Sequence, residues 1–293
     1  MSGRALVLGG GGSAGNAWLV GVVAGLADAG VDMTDADLVV GTSAGATAGA
    51  QLTAASPARL LAGILAAERT PRSVPTASAP RPAPGPPAVD HLERTGRIIA
   101  AAGSPADMRR RLGAAALELD AASDGSGPAR WRAVVAARLP SQSWPERTLL
   151  ITAVDARTGE PVVFDRHSAV DLVDAVAAST SSGLPYAIGE DRYIDGGYRR
   201  NENADLAAGF DRVLVLSPLG GRTRHPPQWG THLAAQVDEL RAAGSTVETV
   251  LPDGTSRNAF GDNLMDPSTR APAARAGFEQ GRALAGKLAD LWA

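Results

Sequence analysis

Apolar positions fall into short unbroken runs and longer periodic stretches that alternate along the chain. Arg4-Ala5-Leu6-Val7-Leu8, Leu38-Val39-Val40, Thr148-Leu149-Leu150-Ile151-Thr152-Ala153-Val154 and Arg212-Val213-Leu214-Val215-Leu216 read as strands buried on both faces. Thr246-Val247-Glu248-Thr249-Val250 adds another, and Pro161-Val162-Val163-Phe164 turns back as a hairpin partner of 148–154. Tyr193-Ile194 is a short strand-like pair. Residues 17–26, 44–54, 91–119, 131–139, 169–179, 229–242 and 273–292 carry helical patterns. Strands alternating with helices predict an α/β fold, a three-layer α/β/α arrangement around a largely parallel sheet.

Residues 56–88 depart from this alternation. From Ser73-Val74-Pro75 to Pro86-Pro87 the chain is dense in Pro and Ala, and about 70–88 reads as an extended insertion. Such an insertion serves either as a lid over an acyl-chain site or as a plain loop. Asp124-Gly125-Ser126-Gly127-Pro128 reads as a linker, and Arg109-Arg110-Arg111 as a solvated helix face.

Three turns carry candidate chemistry. The first is Gly9-Gly10-Gly11-Gly12-Ser13-Ala14-Gly15, between the first strand and an apolar helix. Without side chains to crowd the approach, its amides are free to converge on an anion. Gly10, Gly12 and Gly15 fit the dinucleotide spacing G-x-G-x-x-G, but the next strand ends in Gly41-Thr42-Ser43 where a ribose-binding acid is needed. No G-K-[ST] follows, so a nucleotide triphosphate loop is not supported. A third possible ligand is the oxyanion of a tetrahedral acyl intermediate.

The second turn favours that ligand. Gly41-Thr42-Ser43-Ala44-Gly45 fits G-x-S-x-G between a strand and an Ala-rich helix, the setting of a nucleophile elbow. Glycines at 41 and 45 let strand and helix approach closely, and the serine hydroxyl stands at a helix N-terminus that favours negative charge. The third turn is Asp195-Gly196-Gly197, a carboxylate where a strand opens into a tight turn.

Composition narrows the chemistry further. The chain has 293 residues, 44% hydrophobic and 20% charged, enough for one large α/β domain. A net charge of −3 gives no electrostatic ground for a nucleic-acid partner. There is no cysteine, which excludes thiolate catalysis and Cys-based metal sites. No His/Cys cluster or calcium loop suggests a metal, and no cofactor is expected. Neither a signal-peptide layout nor a long apolar span is evident, so a cytoplasmic location is the expectation.

With all three turns in order, the chain resembles the patatin-like phospholipases, the bacterial branch of the patatin and cytosolic phospholipase A2 group. Gly10-Gly11-Gly12-Ser13-Ala14-Gly15 resembles the oxyanion motif, Gly41-Thr42-Ser43-Ala44-Gly45 the nucleophile elbow, and Asp195-Gly196-Gly197 the acid motif. The resemblance implies a catalytic domain over residues 4–217, completed by an α/β segment at 218–293. It implies a Ser-Asp dyad of Ser43 and Asp195, with an oxyanion hole from Gly10, Gly11, Gly12 and Ala44. The implied reaction is hydrolysis of a lipid or other acyl ester through an acyl-Ser43 intermediate, with transient contact to a membrane surface. One departure stands out: Ala14 occupies a position where the family usually has Arg or Lys, and Asn16 and Arg4 are the polar residues nearby in sequence. Three other readings remain. A Ser-His-Asp triad would draw on His225 or His232, which follow Asp195. A lipid-binding protein without catalysis would follow from the missing charge at position 14. An acyltransferase or thioesterase would use the same serine.

Overall fold

The computed structural model describes residues 3–69 and 88–292. Its centre is β1 (Arg4–Leu8), from which the chain enters α1 (Gly12–Asp28), β2 (Leu38–Gly41), α2 (Ala44–Leu52) and α3 (Pro57–Arg69). Three helices follow: α4 (Ala88–Ala101), α5 (Pro105–Ala121) and α6 (Gly127–Ala136). Then come β3 (Thr148–Asp155), β4 (Pro161–Phe164), α7 (Leu172–Ser179), β5 (Tyr186–Ile188) and β6 (Asp191–Asp195). The last elements are β7 (Arg212–Leu216), α8 (Leu233–Ala242), β8 (Thr246–Val250), α9 (Gly254–Phe260) and α10 (Arg270–Trp292).

Among the described residues the strands form one eight-stranded sheet, in the order β5-β6-β3-β2-β1-β7-β8 with β4 also paired to β3. β3, β2, β1, β7 and β8 run parallel, whereas β4, β5 and β6 are antiparallel additions at the β3 end. The period of two along β1 divides its side chains between two cores. Leu6 and Leu8 face the layer of α1, α2, α7 and α10. Ala5 and Val7 face the layer that contains α8. The expected three layers are therefore present, with a small third core beneath α4 and α5 around Met108, Leu112 and Ile194.

Two register features place the site. β1 has β2 on one side and β7 on the other, so the chain leaves it in two directions and opens a crevice at the carboxyl ends of those strands. β2 and β6 approach the middle of β3 from opposite ends: Gly41 lies opposite Ile151 and Asp195 opposite Ala153. The strand that ends in the elbow and the strand that ends in the acid thus stop close together.

Several elements differ from the sequence pattern. The helical stretch at 91–119 is two helices, because the Ser104 hydroxyl caps α5 by accepting the Asp107 amide at 3.1 Å and Pro105 opens the new helix. The helix expected from 169 starts at Leu172, after Ala169 at φ 55°. The one expected from 229 starts at Leu233, behind a short 3-10 turn at Pro227–Trp229. Helix α6 begins within the expected linker, at Gly127. Residues 57–69, taken with the insertion in the sequence reading, form α3. Strand β5 and helix α9 have no counterpart in that reading. The insertion at about 70–88 lies outside the described residues, apart from the first residue of α4. No helix among the described residues is long and apolar enough to cross a membrane.

Candidate active site

Ser43 sits between the end of β2 and the start of α2 at φ 54°, ψ −114°. A non-glycine residue held at positive φ is strained, and the surroundings must hold it there. Close packing does so. A Cβ on Gly45 would lie 1.8 Å from the Leu8 carbonyl oxygen, and one on Gly41 would lie 2.6 Å from Ala46 Cα. All nine residues of α2 are buried, and most are Ala or Gly, so the helix lies tight against the sheet. The Ser43 amide donates to the Ser179 hydroxyl at 2.9 Å. Ser43 does not cap its own helix; its hydroxyl turns outward instead and donates to Asp195 Oδ2 at 2.8 Å.

Asp195 is 8% exposed. Its Oδ1 accepts the Gly197 amide at 2.8 Å, so each carboxylate oxygen has one donor. Burial pushes its pKa up to about 6, against the downward pull of the Gly197 amide and the Ser43 hydroxyl. Its own amide donates to the Ser181 carbonyl at 2.9 Å, tying the strand end to the segment after α7. Gly196 has no room for a side chain, since a Cβ would lie 2.3 Å from Thr152 Oγ1.

The glycine loop faces Ser43. A Cβ on Gly10 would come within 3.5 Å of the Ser43 Cβ and within 2.8 Å of Asn201 Oδ1. The Gly10 amide is engaged, donating to the Asn201 carbonyl at 3.1 Å. No hydrogen bond from the Gly11, Gly12 or Ala44 amide forms among the described residues. Gly12 opens α1 and Ala44 opens α2, so the free amides of two helix N-termini lie at the carboxyl ends of the parallel strands β1 and β2. Pro218 packs on Gly11 and Gly15, while Leu264 and Met265 lie over Gly12, so the segment beyond β7 roofs the loop.

Residues that the motifs do not contain hold these three turns together. Asn203, at φ 53°, donates to Thr42 Oγ1 at 3.0 Å, to Thr152 Oγ1 at 3.2 Å and to the Gly196 carbonyl at 3.3 Å. One amide group thus links the elbow strand, β3 and the acid turn. Glu202, 1% exposed, accepts from Asn201 Nδ2, Ser217 Oγ and Gln236 Nε2 behind the glycine loop. Asn201 and Asn203 follow Asp195-Gly196-Gly197 closely, but their partners at Gly10, Thr42 and Thr152 are not marked by that spacing.

The remaining candidates are distributed as follows. Ala14 is fully buried in the core, with its amide on the Leu264 carbonyl at 3.0 Å. Arg4 is at the opposite end of β1, paired with Asp35 at 3.0 Å. Asn16 reaches α2 through Gln51 and accepts from Arg270. None of the histidines hydrogen-bonds to Ser43 or Asp195. His225 is buried against Trp229 and Thr231, its pKa pushed down to about 4 by burial and by Arg224 and Arg109; His232 precedes α8 without a side-chain hydrogen bond to its first turn. No group of three or more His, Asp or Glu side chains among the described residues could hold a metal ion.

The family model described as patatin-like phospholipase matches residues 6–208. No curated protein matches the chain. Among solved structures, VipD from Legionella pneumophila is similar at 15% identity and a TM-score of 0.46, with 98% of this chain and 67% of that chain covered. With its family model spanning both the elbow and the acid turn, the chain belongs to the patatin-like phospholipase family.

Proposed function

We propose that this chain is a serine lipid acyl hydrolase of esterase or phospholipase A type, working through a Ser43-Asp195 dyad. The observation that carries the reading is the 2.8 Å hydrogen bond from the strained Ser43 to a buried carboxylate, beside free amides at two helix N-termini. Asp195 takes the Ser43 proton as Oγ attacks the ester carbonyl carbon. The carbonyl oxygen becomes an oxyanion and accepts from the amides of Gly11, Gly12 and Ala44, while Gly10 shapes the loop. Collapse breaks the ester C–O bond, and the leaving alcohol takes the proton from Asp195. Water then attacks acyl-Ser43 with Asp195 again as base, which releases the carboxylic acid and restores the hydroxyl.

A carboxylate at about 6 is a closer match to a neutral operating pH than one at 3.8. The oxyanion donors supply the larger share, at roughly 2.7–4 kcal/mol for one such donor. The substrate is an ester with an acyl chain. Met265, 59% exposed beside Gly12, and Leu184, 41% exposed after Ser182-Gly183, suit transient contact with a lipid surface. Residues 4–217 carry the catalytic domain, and 218–293 complete it by roofing the glycine loop.

Intact mass after incubation with a fluorophosphonate ester tests the reading. One adduct is expected on the wild type, none on Ser43→Ala, and a much slower one on Asp195→Asn. A folded wild-type protein that takes no adduct would exclude the dyad and leave the non-catalytic lipid-binding reading.

A further inference from the structure

Arg270, the first residue of α10, turns its guanidinium onto the first turn of α1. Nη1 donates to the Ser13 carbonyl at 3.1 Å and approaches its hydroxyl at 3.4 Å, and Nη2 donates to Asn16 Oδ1 at 3.0 Å. Asn16 extends the connection to the nucleophile helix: its Nδ2 donates to Gln51 Oε1 at 3.0 Å and lies 3.5 Å from the Ala44 carbonyl oxygen. Gln51 in turn donates to the Arg138 carbonyl at 2.9 Å. One arginine thus connects to α1 directly and to α2 through Asn16.

Its electrostatics are unusual for a structural arginine. Arg270 forms no ion pair among the described residues. Its pKa is pushed down first by burial and then by a second cation, Arg138. The guanidinium also stands at the positive end of the α1 dipole, where a cation is disfavoured. Desolvation, a like charge and an opposed dipole all act against it in the resting protein. A negative charge formed beside that helix turn would offset these costs. In the chemistry proposed above, that charge is the oxyanion at the Gly11 and Gly12 amides, next to Ser13.

We infer that Arg270 is a positioning residue of the oxyanion site. It fixes the first turn of α1 relative to α2 and brings positive potential to the place where the tetrahedral intermediate becomes negative. It works through Ser13 and Asn16 and does not touch the substrate. The inference rests on the acyl-Ser43 reading, so fluorophosphonate labelling of the wild type is measured first; an unlabelled wild type would overturn both.

Steady-state kinetics of Arg270→Gln and Arg270→Lys then test the inference on two esters with the same acyl chains, one neutral and one bearing a phosphate. In Arg270→Gln, kcat is expected to fall about 10-fold to 100-fold on both esters, with KM within about threefold of wild type. Arg270→Lys, which keeps the charge but not the fork, should recover part of that loss. Millimolar guanidinium should raise the rate of Arg270→Ala and leave the wild type unchanged. A wild-type kcat in folded Arg270→Gln would overturn the inference while leaving Ser43 labelling intact. So would a loss confined to KM for the phosphate-bearing ester, which would make Arg270 a contact for the substrate's own anion. Equal losses in the Lys and Gln variants, matched by equal falls in melting temperature and no guanidinium effect, would reduce it to a structural strut.

Discussion

Asp195 holds its charge where the protein disfavours it, and this has opposite consequences for stability and activity. Its pKa is about 6 in the folded chain against an ordinary 3.8. Between these values the folded state keeps a proton that the unfolded chain has lost, so this group's contribution to stability falls as pH rises through that window. Above it, ionised Asp195 lowers stability by roughly 2–3 kcal/mol. Asp195→Asn should therefore raise the denaturation midpoint at neutral pH, lose that gain under acid conditions, and turn over ester far more slowly than the wild type. An unchanged midpoint at neutral pH would mean that the carboxylate is not strained. Activity should run the other way, with kcat/KM of the wild type falling about tenfold per pH unit below about pH 6. At this scale the sequence was informative where the chemistry is local. Ser43 and Asp195 each sit in a short pattern with small neighbours, and small neighbours are what a tight turn requires. Ser179, Asn203 and Arg270 could not be read in the same way. Their partners lie far away in sequence, at Ser43, Thr42 and Asn16, and no spacing encodes such hydrogen bonds.

Among the elements, the α1 and α10 pair shows how closely two helices can be joined. A Cβ on Gly21 would lie 2.2 Å from the Ala274 carbonyl oxygen, and one on Gly25 would lie 2.0 Å from that of Phe278. In return, a Cβ on Gly281 would lie 2.2 Å from the Val22 carbonyl oxygen. Backbone meets backbone, and neither helix can give way without moving the other. Gly25→Ala should therefore cost roughly 1–3 kcal/mol by forcing the pair apart, despite alanine's better helix propensity. A chemical denaturation curve measures this, and a neutral or stabilising result would show that the helices have slack. The strands of the parallel core were legible because they are unbroken apolar runs. The α4/α5 break was not, because apolar periodicity continues across Ser104-Pro105. Strand β5 is only three residues long, and the direction of β6 depends on its pairing with β3.

For the molecule as a whole, the family match ends at residue 208 while the packing continues to Trp292. α10 lies along α1, β8 extends the sheet beside β7, and the 261–270 segment covers the glycine loop. A chain cut after residue 217 would retain Ser43 and Asp195 but expose the apolar face of α1. It should show no cooperative thermal transition, and a sharp transition in that fragment would mean that the later segment is an accessory. The order of the strands also matters during synthesis. β1 leaves the ribosome first, yet its second neighbour, β7, follows about 200 residues later, which at roughly 5–20 residues per second is on the order of 10–40 s. Throughout that interval an apolar strand has one edge open, the kind of template on which chains pair with one another. Substitutions in β1 should thus show themselves in the yield of soluble protein at fast expression before they show in the stability of molecules that have already folded.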